Sequence, residues 1–378
     1  IIKGNHRGKS KMKVVICGGG IVGNLVAYYL VEHGIKDITI LESHTIANAA
    51  SGNAGGFLAK DWCSDNEFLD SFAKTSYSLH QTLAAKHNGE ANYDYRVLEA
   101  FSATYKQELK ENGSKGDRQF LKWVDGPSIV QTSCNRIGSK DNVAQLHPYK
   151  FVKIISDYNA SNKVKILEGN PVVGFEIHNS KVTGVKVKNG SQINCDVVIL
   201  CMGPWTGLAV NWFVKLPSIY GQKGHSIVIS PEHEVPAEAL FMEFEGKHSP
   251  EIYPRPDGNV YVCGATENPI SSSALPQPGH IMPSENSCEK LKTIVDKTSN
   301  KLKNGQVMKS QACYLPLTQD GLPIIGRVPK MENVYVGAGH GCWGILNAPA
   351  TGKALAQLIT NTGEDHVNID AFDPARFN

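Results

Sequence analysis

Residues 14–17 read Val-Val-Ile-Cys, an unbroken apolar run of the kind that fills a strand buried on both faces. From Ile21 the period changes. Ile21, Val22, Leu25, Val26, Tyr29 and Leu30 recur at helical spacing, and a second apolar run over 38–41 ends at Glu42. The pattern predicts strand, helix, strand. Further on, Phe68, Leu69, Phe72, Ala73 and Tyr77, continued by Leu83 and Ala84, predict a helix, and residues 148–157 predict another. A run at 164–167 opens a strand, and alternating strands follow over 172–177 and 182–187. With the Asn189-Gly190 turn they predict a small antiparallel meander. Residues 196–203 return to a buried strand ending in glycine. From 220 to 309 β-rich segments recur between prolines, including a strand at 260–263 after the turn-rich 252–258. A last strand is expected at 333–337 and a last helix from about 349 to 359. Residues 88–140 are polar and irregular and predict no element.

The first strand–helix junction carries Gly18-Gly19-Gly20-Ile21-Val22-Gly23, which fits G-x-G-x-x-G. Gly18 permits the tight turn, Gly20 lets a pyrophosphate approach the backbone, and Gly23 lets helix and strand pack closely. The helix start offers free N–H groups and a positive dipole end to phosphates, and Glu42 can accept both ribose hydroxyls. A dinucleotide site is expected here. The loop Ala49 to Phe57 is rich in small residues and sits where a large planar cofactor would lie against it. A second glycine loop, Gly337 to Gly344, again follows a strand and precedes a helix.

Composition changes this picture little. The 378-residue chain has a net charge of +2, which argues against nucleic acid or another polyanion as partner. Residues 1–11 hold Lys3, Arg7, Lys9 and Lys11 and no acid, so they read as a tail or a cloning remnant without a core. No apolar run reaches membrane-spanning length. Nine scattered cysteines without C-x-x-C pairs suit the cytoplasm or another reducing intracellular compartment, with organellar targeting upstream of residue 1 left open. No spacing suggests a metal site.

Two glycine loops at opposite ends of one chain need a ligand long enough to span them, and FAD is such a ligand. With GGGIVG and Glu42, SGNAGG, VVILCMGPW, LTQDGLPIIG and GAGHGCWGILNAPATGKALAQLI in place, the chain resembles the D-amino-acid-oxidase-like FAD oxidoreductases, the superfamily of glycine oxidase and monomeric sarcosine oxidase. The nearest likeness is to its little-characterised fungal and plant branch. The resemblance implies an α/β fold. A Rossmann-type, glutathione-reductase-like FAD domain (12–85, 145–215 and 310–378) would carry an antiparallel β-rich substrate domain (86–144 and 216–309). It implies flavin contacts from Glu42, Ser43, Ala50, Ser51, Gly55 and Gly56, an adenine contact from Val172, and a place for Gly203 at the end of its strand. Gly339, Gly341, Gly344, Ile345 and Leu346 would lie under the pyrimidine edge of the flavin. Cys313 stands five positions before Thr318, where the sarcosine-oxidase branch attaches its flavin covalently; a buried apolar cysteine is the other reading.

The chain also departs from its family. Leu315 stands where glycine-oxidase-like members place an arginine before the proline, Trp343 stands at a lysine position of the sarcosine-oxidase branch, and no arginine follows Gly52 closely. Either the substrate carboxylate meets Arg255, Lys60 or Lys223, or the substrate has none; an apolar or aromatic amine against Trp343 is favoured. The family's reaction is oxidation of a C–N bond to an imine by hydride transfer to flavin N5, with oxygen or another acceptor taking the electrons. His340 would tune amine or flavin, or be structural. Tyr253 and Arg255 would line the substrate side, or be a core aromatic and a turn residue. A dehydrogenase with a non-oxygen acceptor, a nicotinamide enzyme using only the first loop, and a non-catalytic flavoprotein serving as a partner-binding factor stay open as alternatives.

Overall fold

The computed structural model describes residues 12–107, 121–126, 129–212, 214–363 and 365–377; the expected tail at 1–11 lies outside them. The opening apolar run forms Lys13–Cys17, the middle of a six-stranded sheet. Its order is Ile324–Arg327, Val334–Ala338, Val197–Leu200, Lys13–Cys17, Asp37–Leu41, Lys165–Leu167. Neighbours are parallel except for the Ile324–Arg327 pair. Both faces are covered, which is why the run is apolar throughout. Val14, Ile16, Ile38 and Ile40 pack with Val26 and Leu30 of the helix Ile21–Glu32 and Leu355 of the helix Gly344–Thr360. Val15, Cys17 and Leu41 face Phe175, Val182 and Val185 of the meander Val172–His178, Lys181–Val187, Gln192–Asn194. The two helices touch closely: a Cβ on Gly352 would lie 2.7 Å from the Leu25 backbone.

The second sheet has eight strands, with Ile219–Ser230 pairing Val260–Gly264 on one side and Gln306–Thr318 on the other. It continues through Glu251–Pro254 and Glu238–Phe244 to Glu99–Gln107 and Ile129–Gly138. The last two lie in the stretch that predicted no element, and Glu99–Gln107 runs parallel to Glu238–Phe244. Alternation separates the faces. Ile227, Leu240, Ile252 and Val262 pack under Leu291, Ile294 and Val295 of the helix Glu285–Thr298, while Tyr253, Tyr261, Phe241 and Cys263 point to the opposite side. That helix falls within the region read as β-rich and is a correction. The domain boundary expected at residue 310 falls inside the strand Gln306–Thr318.

The last helix starts at Gly344 rather than near residue 349, with Pro349 inside it. Proline lacks the N–H that would bond the carbonyl four residues earlier, so the Ile345 carbonyl loses its helical partner. His80, on the helix Glu67–Lys86, supplies one: its Nε2–H donates to Ile345 O at 2.9 Å. Ser76 enters the same turn, donating to Leu346 O at 2.6 Å and accepting from Ala350 N at 3.0 Å.

Burial holds the His80 imidazole well below its ordinary value of 6.5, at about 4, despite the stabilising backbone bonds, so it stays neutral in the folded protein. The unfolded chain binds this proton below about pH 6.5, whereas the folded chain refuses it until about pH 4. Stability is therefore lost as pH falls through that window, by at most about 1.4 kcal/mol per pH unit for this group. The variant His80→Gln keeps a donor without titrating. Its melting temperature is expected to be lower at pH 7.5 and to decline less steeply from pH 6.5 to 4.5 than that of the wild type. The slope stays above zero because His340 is also held at about 4 by burial. An unchanged slope would exclude His80 as a source of the acid sensitivity.

Candidate functional site

A cleft of about 630 Å³ runs between the two sheets from the first glycine loop to the second. At one end Gly18 sits at φ +111°, and a Cβ there would lie 2.2 Å from the Cys201 carbonyl oxygen, so only glycine makes this turn. A Cβ on Gly23 would lie 2.1 Å from Gly18 O, which sets the close approach of helix to strand. The helix Ile21–Glu32 begins at Gly20 with no side chain of its own capping it. Ser51 reaches over instead: its Oγ accepts from Ile21 N at 3.0 Å, leaving its own hydroxyl proton for another partner. Glu42 closes this end. One carboxylate oxygen accepts from Gly19 N at 2.8 Å, and the other accepts from Ser43 Oγ and His44 N, both at 2.9 Å.

At the other end the helix Gly344–Thr360 also starts without a side-chain cap, and Gly344 and Ile345 line the cleft. Its first-turn N–H groups and dipole put positive potential there. His340 stands beside it, buried and held neutral at about 4 by desolvation. Thr351 Oγ1 gives its proton to Asn347 O, so at 3.4 Å it accepts from His340 Nε2–H; this network assigns Nδ1 as an acceptor, and Nδ1 has no partner. Between the ends, Tyr253 stacks on Phe57 at 5.4 Å, Trp62 meets Phe241 edge-on at 4.8 Å, and Trp343 meets Trp62 at 6.5 Å. Tyr253 also lies parallel to Tyr261 at 6.1 Å.

Of the residues singled out from the sequence, Gly18, Gly20, Ile21, Val22, Glu42, Ser43, Ala50, Ser51, Gly55, Gly56, Val172, Gly203, Cys313, Gly341, Gly344 and Ile345 line this cleft, as do His340, Trp343 and Tyr253. Gly23, Gly339 and Leu346 stand behind its wall: a Cβ on Gly339 would meet Thr318 at 2.5 Å, and Leu346 is core. Arg255 is not in the wall either. Its guanidinium lies over the Tyr261 ring at 4.8 Å and donates to Ala54 O at 3.3 Å, buried beneath the aromatics. Lys223 pairs with Glu267 at 3.5 Å, and neither it nor Lys60 reaches the cleft, whose lining contains no lysine or arginine. Sequence reasoning passed over Glu251, Trp62, Phe241 and Tyr261. Their signal was strand alternation, which puts the first and last two of these, with Tyr253, on one face of the large sheet.

The profile of the DAO family, described as FAD dependent oxidoreductase, matches residues 13–358. This chain belongs to that family. It is 31% identical to a Schizosaccharomyces pombe protein provisionally named oxidoreductase C1F5.03c, over 96% of this chain and 97% of that one. It is 26% identical to the glycine oxidase of Bacillus subtilis, over 96% and 97% of the two chains. The crystal structure of glycine oxidase from Geobacillus kaustophilus superposes with a TM-score of 0.79 at 19% identity, covering 97% of this chain and 98% of that one. The cofactor of the DAO family is FAD, and the cleft fits it. The helix start at Ile21 is met only by Ser51, the one at Gly344 has no side-chain cap, Gly18 holds a turn no other residue could, and Glu42 offers a carboxylate already oriented by three donors. No helix among the described residues is long and apolar enough to cross a membrane.

Removing the Glu42 carboxylate takes a charged acceptor away from Gly19 and from any hydroxyl bound there. A hydrogen bond to a charged group contributes roughly 1.5–3 kcal/mol, so Glu42→Ala is expected to weaken FAD binding about ten- to a hundredfold. Titrating FAD into apoprotein while following flavin fluorescence measures this, and unaltered affinity would remove Glu42 from the cofactor site.

Proposed function

We propose that this protein oxidises the C–N bond of a small amine or amino-acid derivative to an imine, acting on CH–NH or CH–NH2. The observation carrying this reading is the pairing of an uncapped helix start with an aromatic wall in one cleft that has no anion clamp. FAD held here would supply a hydride acceptor for the carbon next to a neutral nitrogen; an amine arriving as an ammonium would first lose a proton to water, the iminium would lose a second where an N–H remains, and water would split the imine. The chain's part is to hold and to exclude. Phe57, Trp62, Phe241, Tyr253 and Trp343 offer an apolar surface that keeps water from the reacting bond and suits a substrate without a carboxylate. Neutral His340 adds no positive charge that would repel an incoming cation, and its unpaired Nδ1 is free to accept a hydrogen bond. The six-stranded sheet side serves as the cofactor domain and the large sheet as the substrate domain, with oxygen or a second acceptor taking the electrons. All nine cysteines are unpaired, which suits a reducing compartment.

The test is anaerobic mixing with a panel of amines while following flavin absorbance. Secondary or N-methylated amines without a carboxylate are expected to bleach it at least tenfold faster than glycine or sarcosine. A flavin that no amine bleaches would overturn the oxidase and dehydrogenase readings together and favour a partner-binding role.

Cys313 lines the cleft opposite Gly224, and burial pushes its thiol up to about 11. At neutral pH it is a protonated thiol, a weak nucleophile. FAD is therefore expected in the supernatant after acid precipitation, in wild type and in Cys313→Ser alike. Flavin retained in the wild-type pellet and lost from the variant's would establish a covalent bond instead.

A further inference from the structure

One acidic side chain, Glu251, stands in the aromatic stretch of the cleft. Glu251 begins the strand Glu251–Pro254 and shares a face with Phe241 and Cys263, its cross-strand neighbours, and with Tyr253 two residues on. Its Oε2 accepts from the Tyr253 hydroxyl and from Cys263 Sγ at 3.4 Å. Burial, and then the Glu251 charge, hold the Tyr253 phenol well above its ordinary value, so it remains a donor. Oε1 has no hydrogen bond, and Glu251 has no ion-pair partner among the described residues. The remaining ionisable groups on the cleft wall are Glu42 at the far end, neutral His340, His225 beside Glu267, and cysteines and tyrosines. A carboxylate set into an aromatic wall without a counter-charge is costly unless a cation arrives.

We propose that Glu251 is the specificity residue of this cleft, and that its substrate is an amine that enters as an ammonium cation and carries no carboxylate. Oε1 supplies the charge-assisted acceptor, and the rings of Phe57, Trp62, Phe241 and Trp343 supply cation–π attraction to the apolar or methylated nitrogen substituents. An amino acid presents its carboxylate to the same wall and meets Glu251 with no lysine or arginine to offset the repulsion. The inference rests on the reading of the cleft as an amine site, and it names which amines.

The test is calorimetric titration of the FAD-loaded protein with benzyltrimethylammonium, which has no nitrogen lone pair and so cannot be oxidised, and with benzoate as its anionic counterpart. Wild type is expected to bind the ammonium at least tenfold more tightly than benzoate. Glu251→Gln, which keeps shape and removes the Coulomb attraction to a cation that has no N–H to donate, is expected to lose about tenfold in ammonium affinity while retaining FAD. Equal or tighter benzoate binding by the wild type overturns the proposal, as does full ammonium affinity in a Glu251→Gln variant that still holds FAD. If that variant does not fold, the wild-type preference alone decides. The two readings fail separately. Glu251-dependent ammonium binding with no bleaching by any amine sinks amine oxidation and leaves the cation site standing. Bleaching by sarcosine that benzyltrimethylammonium does not slow sinks the cation site and leaves amine oxidation standing.

Discussion

The turn of helix that Pro349 breaks is the constraint on which the site depends. A proline at the sixth position of a helix removes one ladder bond and crowds the carbonyl before it, and by itself it would start the helix later or bend it. Here the freed Ile345 carbonyl accepts a hydrogen bond from His80, and Ser76 stands in the ladder between Ala350 N–H and the Leu346 carbonyl. The helix therefore begins five residues before the proline, and its uncapped end reaches the cleft. Both donors come from the helix Glu67–Lys86, so the helix start at the second glycine loop is held by a neighbour distant in the chain. A buried neutral histidine is what this arrangement requires, since an imidazolium there would be a charge without a counter-ion.

This explains what was legible in the amino-acid sequence and what was not. The strand–helix–strand around Gly18 to Glu42 was readable because local pattern and tertiary role agree: apolar on both faces, glycine where a Cβ would strike Cys201, acid where the strand ends. The last helix was placed too late because Pro349 is a local signal for a helix start, and the repair that overrides it is long-range. The helix Glu285–Thr298 carried its own signal in Cys288, Leu291, Ile294, Val295 and Thr298, spaced three and four apart. The surrounding β pattern masked it. The strand Glu99–Gln107 carried its own signal in Phe101, Ala103 and Tyr105, which alternate with Ser102, Thr104 and Lys106, but the polar residues around it masked that run; Ile129–Gly138 shows little alternation, and its partner strand defines its register.

The cleft itself follows from the two-faced character of the large sheet. One face is mainly aliphatic, with Phe101, Tyr105 and Phe244 among it, and is sealed by the helix Glu285–Thr298; the other is aromatic around Tyr253 and Tyr261 and faces the glycine loops. A single-residue slip of any of these strands would turn the aromatics into the aliphatic core and empty the cleft wall. Arg255 illustrates the same logic. It lies two residues beyond Tyr253 but after the strand ends, where the turn carries it behind Tyr261, and its guanidinium stacks on the ring rather than reaching the cavity. A basic residue near the substrate strands in sequence is thus a support for the wall and not part of it.

What separates the two glycine loops from the aromatic stretch between them is the sign of the potential they offer. The loops and the helix starts that follow them present N–H groups, which favour anionic groups such as the phosphates of FAD. The aromatic stretch presents quadrupole faces and one carboxylate, which favour a cation. A small amine crossing this wall meets no lysine or arginine, so charge repulsion does not hinder its approach in the ammonium form. The carboxylate that glycine or sarcosine would bring has no partner at the same place. Family membership accounts for the cofactor. What the family name does not dictate is the aromatic stretch, whose lining holds no lysine or arginine and where Glu251 stands among aromatic rings.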